Sequence, residues 1–391
     1  MLRAEGSEAA RGRSVYFLTG TRADFGKLKP LMLGAASLDG IKVTVVVTGM
    51  HLLERYGSTV HEVRRLEPTV EVEEFGNQAD GDPMDRILAH TVEGLSRLFD
   101  RARPDLFVVH GDRVEALAGA TVGALRGIPV AHVEGGELSG TIDGILRHAI
   151  SKLSHLHLVA NEDAARRVVQ LGEDPATVWA IGSPDIDVML SSGLPTLEDV
   201  LDDYDIPFKE YALVIYHGIT TEDLATVGTE VQSLVDALLD MDLPAVVVYP
   251  NNDPGSDAIL EAYRRLDGND RFRVFPSLRF EAFLTLLKHA RVMIGNSSAG
   301  IREAPIYGIP TVNVGSRQRN RHHHATILQS GSSYPELTGA IRHALAMPPQ
   351  DGSLHFGRGD SAMRFCRLLA GDEIWALGAD KVFHDLPLTE D

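Results

Sequence analysis

The stretch LFVVHGDRVEALAGATVGALRGIPVAHVEGG, residues 106–136, decides the fold. Leu106 to Val109 and Ile128 to Val133 are short, nearly continuous apolar runs. Each ends in a polar, glycine-containing turn, His110-Gly111-Asp112-Arg113 after the first and Glu134-Gly135-Gly136 after the second. A helical stretch follows each turn. Strands with no polar alternation are buried on both faces, and a strand–turn–helix repeat of this kind builds a parallel sheet. In such sheets ligands sit at the carboxyl ends of the strands, which here are the two turns.

The same unit recurs on either side. Val15 to Leu18 leads into Thr19-Gly20-Thr21-Arg22 and a helix from about Asp24 that carries Leu28, Leu31 and Met32 at helical spacing. Ile41 to Val47 ends in Thr48-Gly49, and Leu156 to Ala160 and Val178 to Ile181 read as the last strands of a first half. After a polar stretch from Ser183 to Pro207 the pattern restarts with Ala212 to Tyr216, Ala245 to Tyr249, Arg273 to Phe275, Val292 to Ile294 and Thr311 to Val314. The expected architecture is α/β with two Rossmann-like domains and a cleft between them. Residues 1–14 form a lead-in, 15–190 and 208–360 the domains, and 361–391 a tail whose helix returns to the first half.

A length of 391 residues favours two domains, and a 44% hydrophobic fraction supplies both cores. No apolar run reaches the length of a membrane span, and the N-terminus lacks the apolar centre of a signal peptide, so a cytoplasmic enzyme is expected. Cys366 stands alone, which excludes an internal disulfide and a multi-cysteine zinc site. The net charge of -18 argues against nucleic-acid and anionic-membrane partners. Glu71 to Glu74 and Asp202 to Asp205 read as solvated acidic faces. An anionic nucleotide would then have to be held by a few convergent arginines and backbone N–H groups.

Candidates for that task sit at strand ends. Arg22, in Gly20-Thr21-Arg22-Ala23-Asp24, is either a neighbour of a capped helix start or a guanidinium seat for phosphate. Gly295-Asn296-Ser297-Ser298-Ala299-Gly300 offers hydroxyls and a close backbone approach suited to phosphate, with Glu303 beyond it able to accept from ribose hydroxyls. It lacks the Gly-Lys-Ser/Thr ending of a Walker A loop. Asp112, Glu134 and Asp143 bring three carboxylates towards one cleft, and paired carboxylates suit proton removal and delivery when their environments shift their pKa values apart. His155 with His157, and His322 to His324, raise the question of metal. With no HExxH and no cysteine partners, neither a metal nor a redox cofactor is expected.

Taken together, the segments TGTRADFGKLKPLM, VHGDRVEALAGA, HVEGGELSGTIDGILRHAISKLSHLH, YPNNDPGSD and GNSSAGIREAPIYGIPTVNVGSRQ resemble the hydrolysing UDP-N-acetylglucosamine 2-epimerases of sialic and legionaminic acid synthesis. The resemblance spans about Val15 to Arg321. It implies a glycosyltransferase-B-like fold, a homodimer or homotetramer, and a two-step reaction. A base removes the C2 proton while UDP leaves C1, and water then adds to the resulting 2-acetamidoglucal.

The resemblance makes Asp112, Glu134 and Asp143 the acid/base carboxylates and leaves open which of them takes the C2 proton. For the nucleotide it points to Arg22, Arg113, His217, Asn251, Ser297, Ser298, Glu303 and Arg317. His217 and the serine pair would hold diphosphate, Glu303 ribose, and Ser277-Leu278 the base, with Lys27 a weaker candidate for the same pocket.

Three departures from the family pattern lie near the expected nucleotide. The usual His-Pro-Val-Thr-Thr turn is here His217-Gly218-Ile219-Thr220-Thr221, which loses a fixed φ. His322 stands where a glutamate often follows the Arg317-Gln318 stretch, and Gly26 replaces a serine found in some members. The sugar, N-acetylglucosamine or a 2,4-diacetamido relative, stays open. So do three rival readings: a non-hydrolysing epimerase, a retaining glycosyltransferase, and a catalytically silent nucleotide-sugar sensor.

Overall fold

The continuity of the apolar runs has a simple cause: successive side chains enter two different cores. In the computed structural model, which describes residues 12–139, 142–218, 224–251, 255–318, 321–378 and 380–387, Leu106 and Val108 point into one core and Phe107 and Val109 into another. Val15 and Phe17 alternate in the same way with Tyr16 and Leu18. Gly140, Thr141, residues 219–223 beyond Gly218, 252–254, Arg319 and Asn320 lie outside the described residues, as do most of the N-terminal lead-in and the last four residues.

Among the described residues the first sheet comprises β1 (Arg13–Thr19), β2 (Ile41–Val47), β3 (Glu71–Glu74), β4 (Leu106–His110), β5 (Val130–Val133), β6 (Leu156–Val159) and β7 (Val178–Ala180). Its order is β3-β2-β1-β4-β5-β6-β7, and every pair is parallel. Helices Arg22–Ala36 and Ser361–Ala370 cover one face, burying Phe25, Leu28, Leu31 and Met32 beside Phe365 and Leu369. Helices Met84–Arg101 and Val114–Leu125 cover the other. Each large apolar side chain removed from water here, such as Phe17 or Phe107, contributes about 1.5–3 kcal/mol.

The second sheet comprises β8 (Ala212–Ile215), β9 (Ala245–Val248), β10 (Phe272–Phe275), β11 (Val292–Gly295), β12 (Thr311–Val314) and β13 (Ile327–Ser330). It is also parallel, in the order β10-β9-β8-β11-β12-β13. Both of its faces are buried as well, Ala212 and Val214 in one core and Leu213 and Ile215 in the other. Strand order reverses between β1 and β4 in one sheet and between β8 and β11 in the other. Those are the positions where a crevice opens at the carboxyl ends of a parallel sheet.

The two halves touch closely. A Cβ placed on Gly26 would lie 2.4 Å from the Phe280 side chain, so helix Arg22–Ala36 approaches helix Phe280–His289 only because residue 26 has no side chain. Gly26, read above as a departure near the nucleotide, is thus occupied with packing. Between the sheets, residues 183–207 hold helices Pro184–Met189 and Leu197–Asp203, and Ser183, Asp185 and Ile186 are buried. Glu71 to Glu74 is exposed over most of its length and also forms the edge strand β3. Among the described residues no helix is long and apolar enough to cross a membrane.

Candidate active site between the two sheets

The carboxyl ends of both sheets face one cavity of about 320 Å³. Asp112, Glu134 and Asp143 line it from the first half, with Arg22 and Arg113. His217, Asn251, Leu278, Ser297, Ser298, Glu303 and Arg317 line it from the second, so every site residue singled out from the sequence meets there. Nine of the twelve follow a strand: Arg22 β1, Asp112 and Arg113 β4, Glu134 β5, His217 β8, Asn251 β9, Leu278 β10, Ser297 β11 and Arg317 β12, whereas Asp143 stands in helix Ile142–Leu153 and Ser298 and Glu303 flank the short helix Ala299–Arg302.

Local sequence fixes these positions. Thr21 caps helix Arg22–Ala36 in a reciprocal box with Asp24, whose carboxylate also accepts from Gly20 N–H at 3.1 Å. That holds Arg22 at the cavity edge, where Nη1 donates to Ser277 Oγ at 2.7 Å and Nη2 pairs with Glu62. The capped-helix reading of this motif is therefore observed for Asp24, while Arg22 bridges the cleft. At the end of β11, Gly295 has φ of 135° and would bring a Cβ within 1.9 Å of the Ile215 carbonyl. Only glycine permits this junction, from which Ser297 and Ser298 reach the cavity.

Each of the three carboxylates has a cationic partner. Asp112 pairs with Arg147, and Asp143 lies 3.2 Å from Arg317. Glu134 Oε1 accepts from Arg302 at 2.5 Å and from Ser183, and His110 Nε2 lies 3.1 Å from its Oε2. Burial disfavours the Glu134 carboxylate, but Arg302, His110 and Lys27 outweigh it and hold the carboxyl well below the usual range. Asp112 is lowered in the same way: Arg147, Arg321 and Arg317 prevail over burial. Glu303 goes in the opposite direction, pushed up by burial despite Lys27 at 2.5 Å. Asp112 and Glu134 thus move in the same direction and not apart, and the carboxyl that moves the other way is Glu303, outside the trio singled out for proton transfer.

His217 is half-buried and neutral. Burial, then Arg317 and Arg113, push its pKa well below the ordinary value. Its Nδ1 accepts from Asn251 N–H at 3.0 Å, which leaves the ring proton on Nε2. Asn296 clamps the same residue twice, accepting from His217 N–H at 2.7 Å and donating to its carbonyl at 2.9 Å. Asn296 in turn receives Arg317 and Gln318 on its own carbonyl.

Several inward-facing charges were underrated in the sequence or missed there. Lys27, given there as a weak candidate, sits between Glu303 and Asp185, 3.0 Å from the latter. Arg302 reaches Glu134 and Glu137, and Arg321 lies 3.3 Å from Glu137. The available signal was a charge embedded among small apolar neighbours, as in Gly300-Ile301-Arg302-Glu303-Ala304-Pro305 and Ser183-Pro184-Asp185-Ile186. The histidines raised as metal candidates have other uses. His157 Nε2 lies 3.0 Å from Glu173, His155 Nδ1 accepts from Val130 N–H at 3.1 Å, and His322 stacks on His355 with centroids 4.3 Å apart. Among the described residues no cluster of three or more His, Cys, Asp or Glu has the arrangement of a metal site.

A model of the UDP-N-acetylglucosamine 2-epimerase family matches residues 35–370. The chain belongs to that family. It is 45% identical over 380 residues to the UDP-N-acetylglucosamine 2-epimerase of Neisseria meningitidis serogroup B, covering 96% of this chain and 100% of that protein. It is 33% identical over 361 residues to the UDP-N,N'-diacetylbacillosamine 2-epimerase (hydrolyzing) of Legionella pneumophila, covering 91% and 95% of the two chains. In fold it matches the crystal structure of Methanocaldococcus jannaschii UDP-GlcNAc 2-epimerase in complex with UDP-GlcNAc and UDP. The TM-score is 0.78 at 20% identity, over 91% of this chain and 99% of that one. The two parallel-sheet units thus have the glycosyltransferase-B-like arrangement of family structures, as the sequence led us to expect.

Proposed function

We propose that this member of the UDP-N-acetylglucosamine 2-epimerase family is a hydrolysing enzyme acting on a UDP-activated N-acetyl amino sugar. A carboxylate takes the C2 proton as the C1–O bond to UDP breaks, giving a 2-acetamidoglucal. Water then adds across the double bond, its hydroxyl at C1 and a proton at C2, releasing the free manno-configured sugar and UDP. The reaction is redox-neutral and the reading invokes no metal or cofactor.

The observation that carries this reading is the split character of the cavity. One wall holds Asp112, Glu134 and Asp143, each beside a cation. The facing wall holds a neutral His217 with its Nε2 proton, the Ser297 and Ser298 hydroxyls, and Arg317. In this reading the carboxylates handle protons at C2, and the cations beside Asp112 and Glu134 keep those two ionised in the free enzyme. His217, the serines, Arg113, Arg317 and Arg22 stabilise the departing diphosphate as donors fixed in advance. Glu303 Oε2 is buried without a hydrogen-bond partner, a free acceptor for a ribose hydroxyl. Ser277 and Leu278, after β10, face the base. The hydrolytic outcome is supported by the Legionella pneumophila relative's name and by the HVEGG…SGTID…RHAI block, residues 132–150.

The test is product analysis by anion-exchange chromatography on UDP-N-acetylglucosamine and on a UDP-2,4-diacetamido-6-deoxy sugar. UDP accumulating with a neutral free sugar is the expected result. A mixture of two UDP-sugar epimers without UDP would make the enzyme non-hydrolysing. Glu134→Gln should bind UDP as wild type does and lose turnover; an active Glu134→Gln would remove Glu134 from the mechanism.

A further inference from the structure

Arg302 is 1% exposed and lies between a helix of the second half and carboxylates of the first. Nη2 donates to Glu134 Oε1 at 2.5 Å, Nη1 pairs with Glu137, and Ser183 Oγ lies against the same guanidinium. The Phe356 ring packs against the guanidinium, 4.8 Å from its centroid to Cζ. Glu134 itself has φ of 64°, in the left-handed region where a residue with a side chain needs external support. Its carbonyl is held by Arg147 Nη1 at 2.7 Å and its carboxylate by Arg302. A planar fork that can bind two carboxylates at once is what arginine offers and lysine does not.

The segment that carries Arg302 also carries Ser297, Ser298 and Glu303. We infer that Arg302 is a positioning residue that builds the Glu134 carboxylate and the nucleotide-facing segment 297–303 as one unit, so that the reacting sugar is presented to a carboxylate fixed by the same loop that faces the nucleotide. This rests on the reading of Glu134 as a catalytic carboxylate. Titratable and charged groups facing Glu134 besides Arg302 are His110, Lys27 and Arg147, with the carboxylates of Glu137 and Asp185 opposing Lys27 and the arginines. Removing the guanidinium leaves burial and two carboxylates acting on Glu134 against fewer cations, so the ionised form is lost at a higher pH.

The test uses full-length Arg302→Gln, Arg302→Lys and Glu134→Gln. UDP affinity is measured by calorimetry, and kcat, KM and the acid limb of kcat by UDP release. Arg302→Gln is expected to lose about 10²-fold in kcat, the scale of a misplaced catalytic group, with a smaller loss of UDP affinity. Its acid limb moves to higher pH, and Arg302→Lys brings part of both back. An unmoved acid limb, or kcat within about threefold of wild type, with Glu134→Gln inactive, overturns the role of Arg302 while leaving Glu134 in place. An active Glu134→Gln overturns the underlying reading instead. Should Arg302→Gln be insoluble, the acid limb of Arg302→Lys decides: a limb identical to wild type refutes the proposal.

Discussion

Lys27→Met removes a cation from between two buried carboxylates. Asp185 is 0% and Glu303 2% exposed, and Lys27 Nζ lies 3.0 and 2.5 Å from them. Burial disfavours the charged lysine, yet Asp185 and Glu303 overcome that and raise its pKa above the ordinary value. Deleting one member of a buried ion cluster costs about 3–5 kcal/mol, because the remaining charges are left without compensation. That is a large part of the roughly 5–15 kcal/mol that holds a protein folded. Without Lys27 the two carboxyls have folded-state pKa values above their unfolded ones, so the folded state binds more protons. The deficit is then fullest at pH 8 and shrinks as pH falls towards 5.5. Urea unfolding followed by circular dichroism at both pH values measures it. The triple variant Lys27→Met/Asp185→Asn/Glu303→Gln should recover most of the loss, since no buried charge is orphaned. A cost under about 1 kcal/mol, a deficit independent of pH, or no recovery in the triple variant would refute the reasoning.

Other consequences are sharp enough to measure. The His217 ring should stay in the neutral Nε2–H tautomer from pH 5.5 to 8, because burial and two arginines hold its pKa far down. Nitrogen NMR on histidine-labelled protein, with His217→Asn to identify the signals, checks this, and titration near the ordinary histidine value would contradict it. Gly295→Ala should abolish soluble folded protein, since its Cβ would meet the Ile215 carbonyl at 1.9 Å, and a variant melting near wild type would contradict that geometry. Lys381→Ala should cost about 1–3 kcal/mol. Lys381 donates to the carbonyls of Ser151, Lys152 and Ser154 at the end of helix Ile142–Leu153, and an unchanged melting temperature would show that this clasp contributes nothing.

The central strands were legible because burial on both faces makes them almost purely apolar, as in Leu106 to Val109. The edges were not. Glu-Val-Glu-Glu at 71–74 reads as acidic surface because an edge strand needs little apolar content, and Ile327–Ser330 is only partly buried. Helix Met84–Arg101 went unread although Ile87, Thr91, Leu95 and Leu98 line its buried face. At the site, residues that follow a strand directly could be found, since topology brings strand ends together. Arg302, Glu137 and Asp185 could not, because their partners lie far away in sequence: Arg302 and Glu134 are separated by 168 positions. Only folding both halves onto one cleft makes those charges neighbours.

The most direct test of the mechanism is proton NMR of the reaction in deuterated water, with the UDP-sugar that product analysis shows to be turned over. UDP together with a free manno-configured sugar carrying deuterium at C2 is the expected result, since the C2 hydrogen is removed and replaced from solvent. UDP released with a gluco-configured sugar that keeps its C2 hydrogen would contradict it, because the bond to UDP would then break without any chemistry at C2.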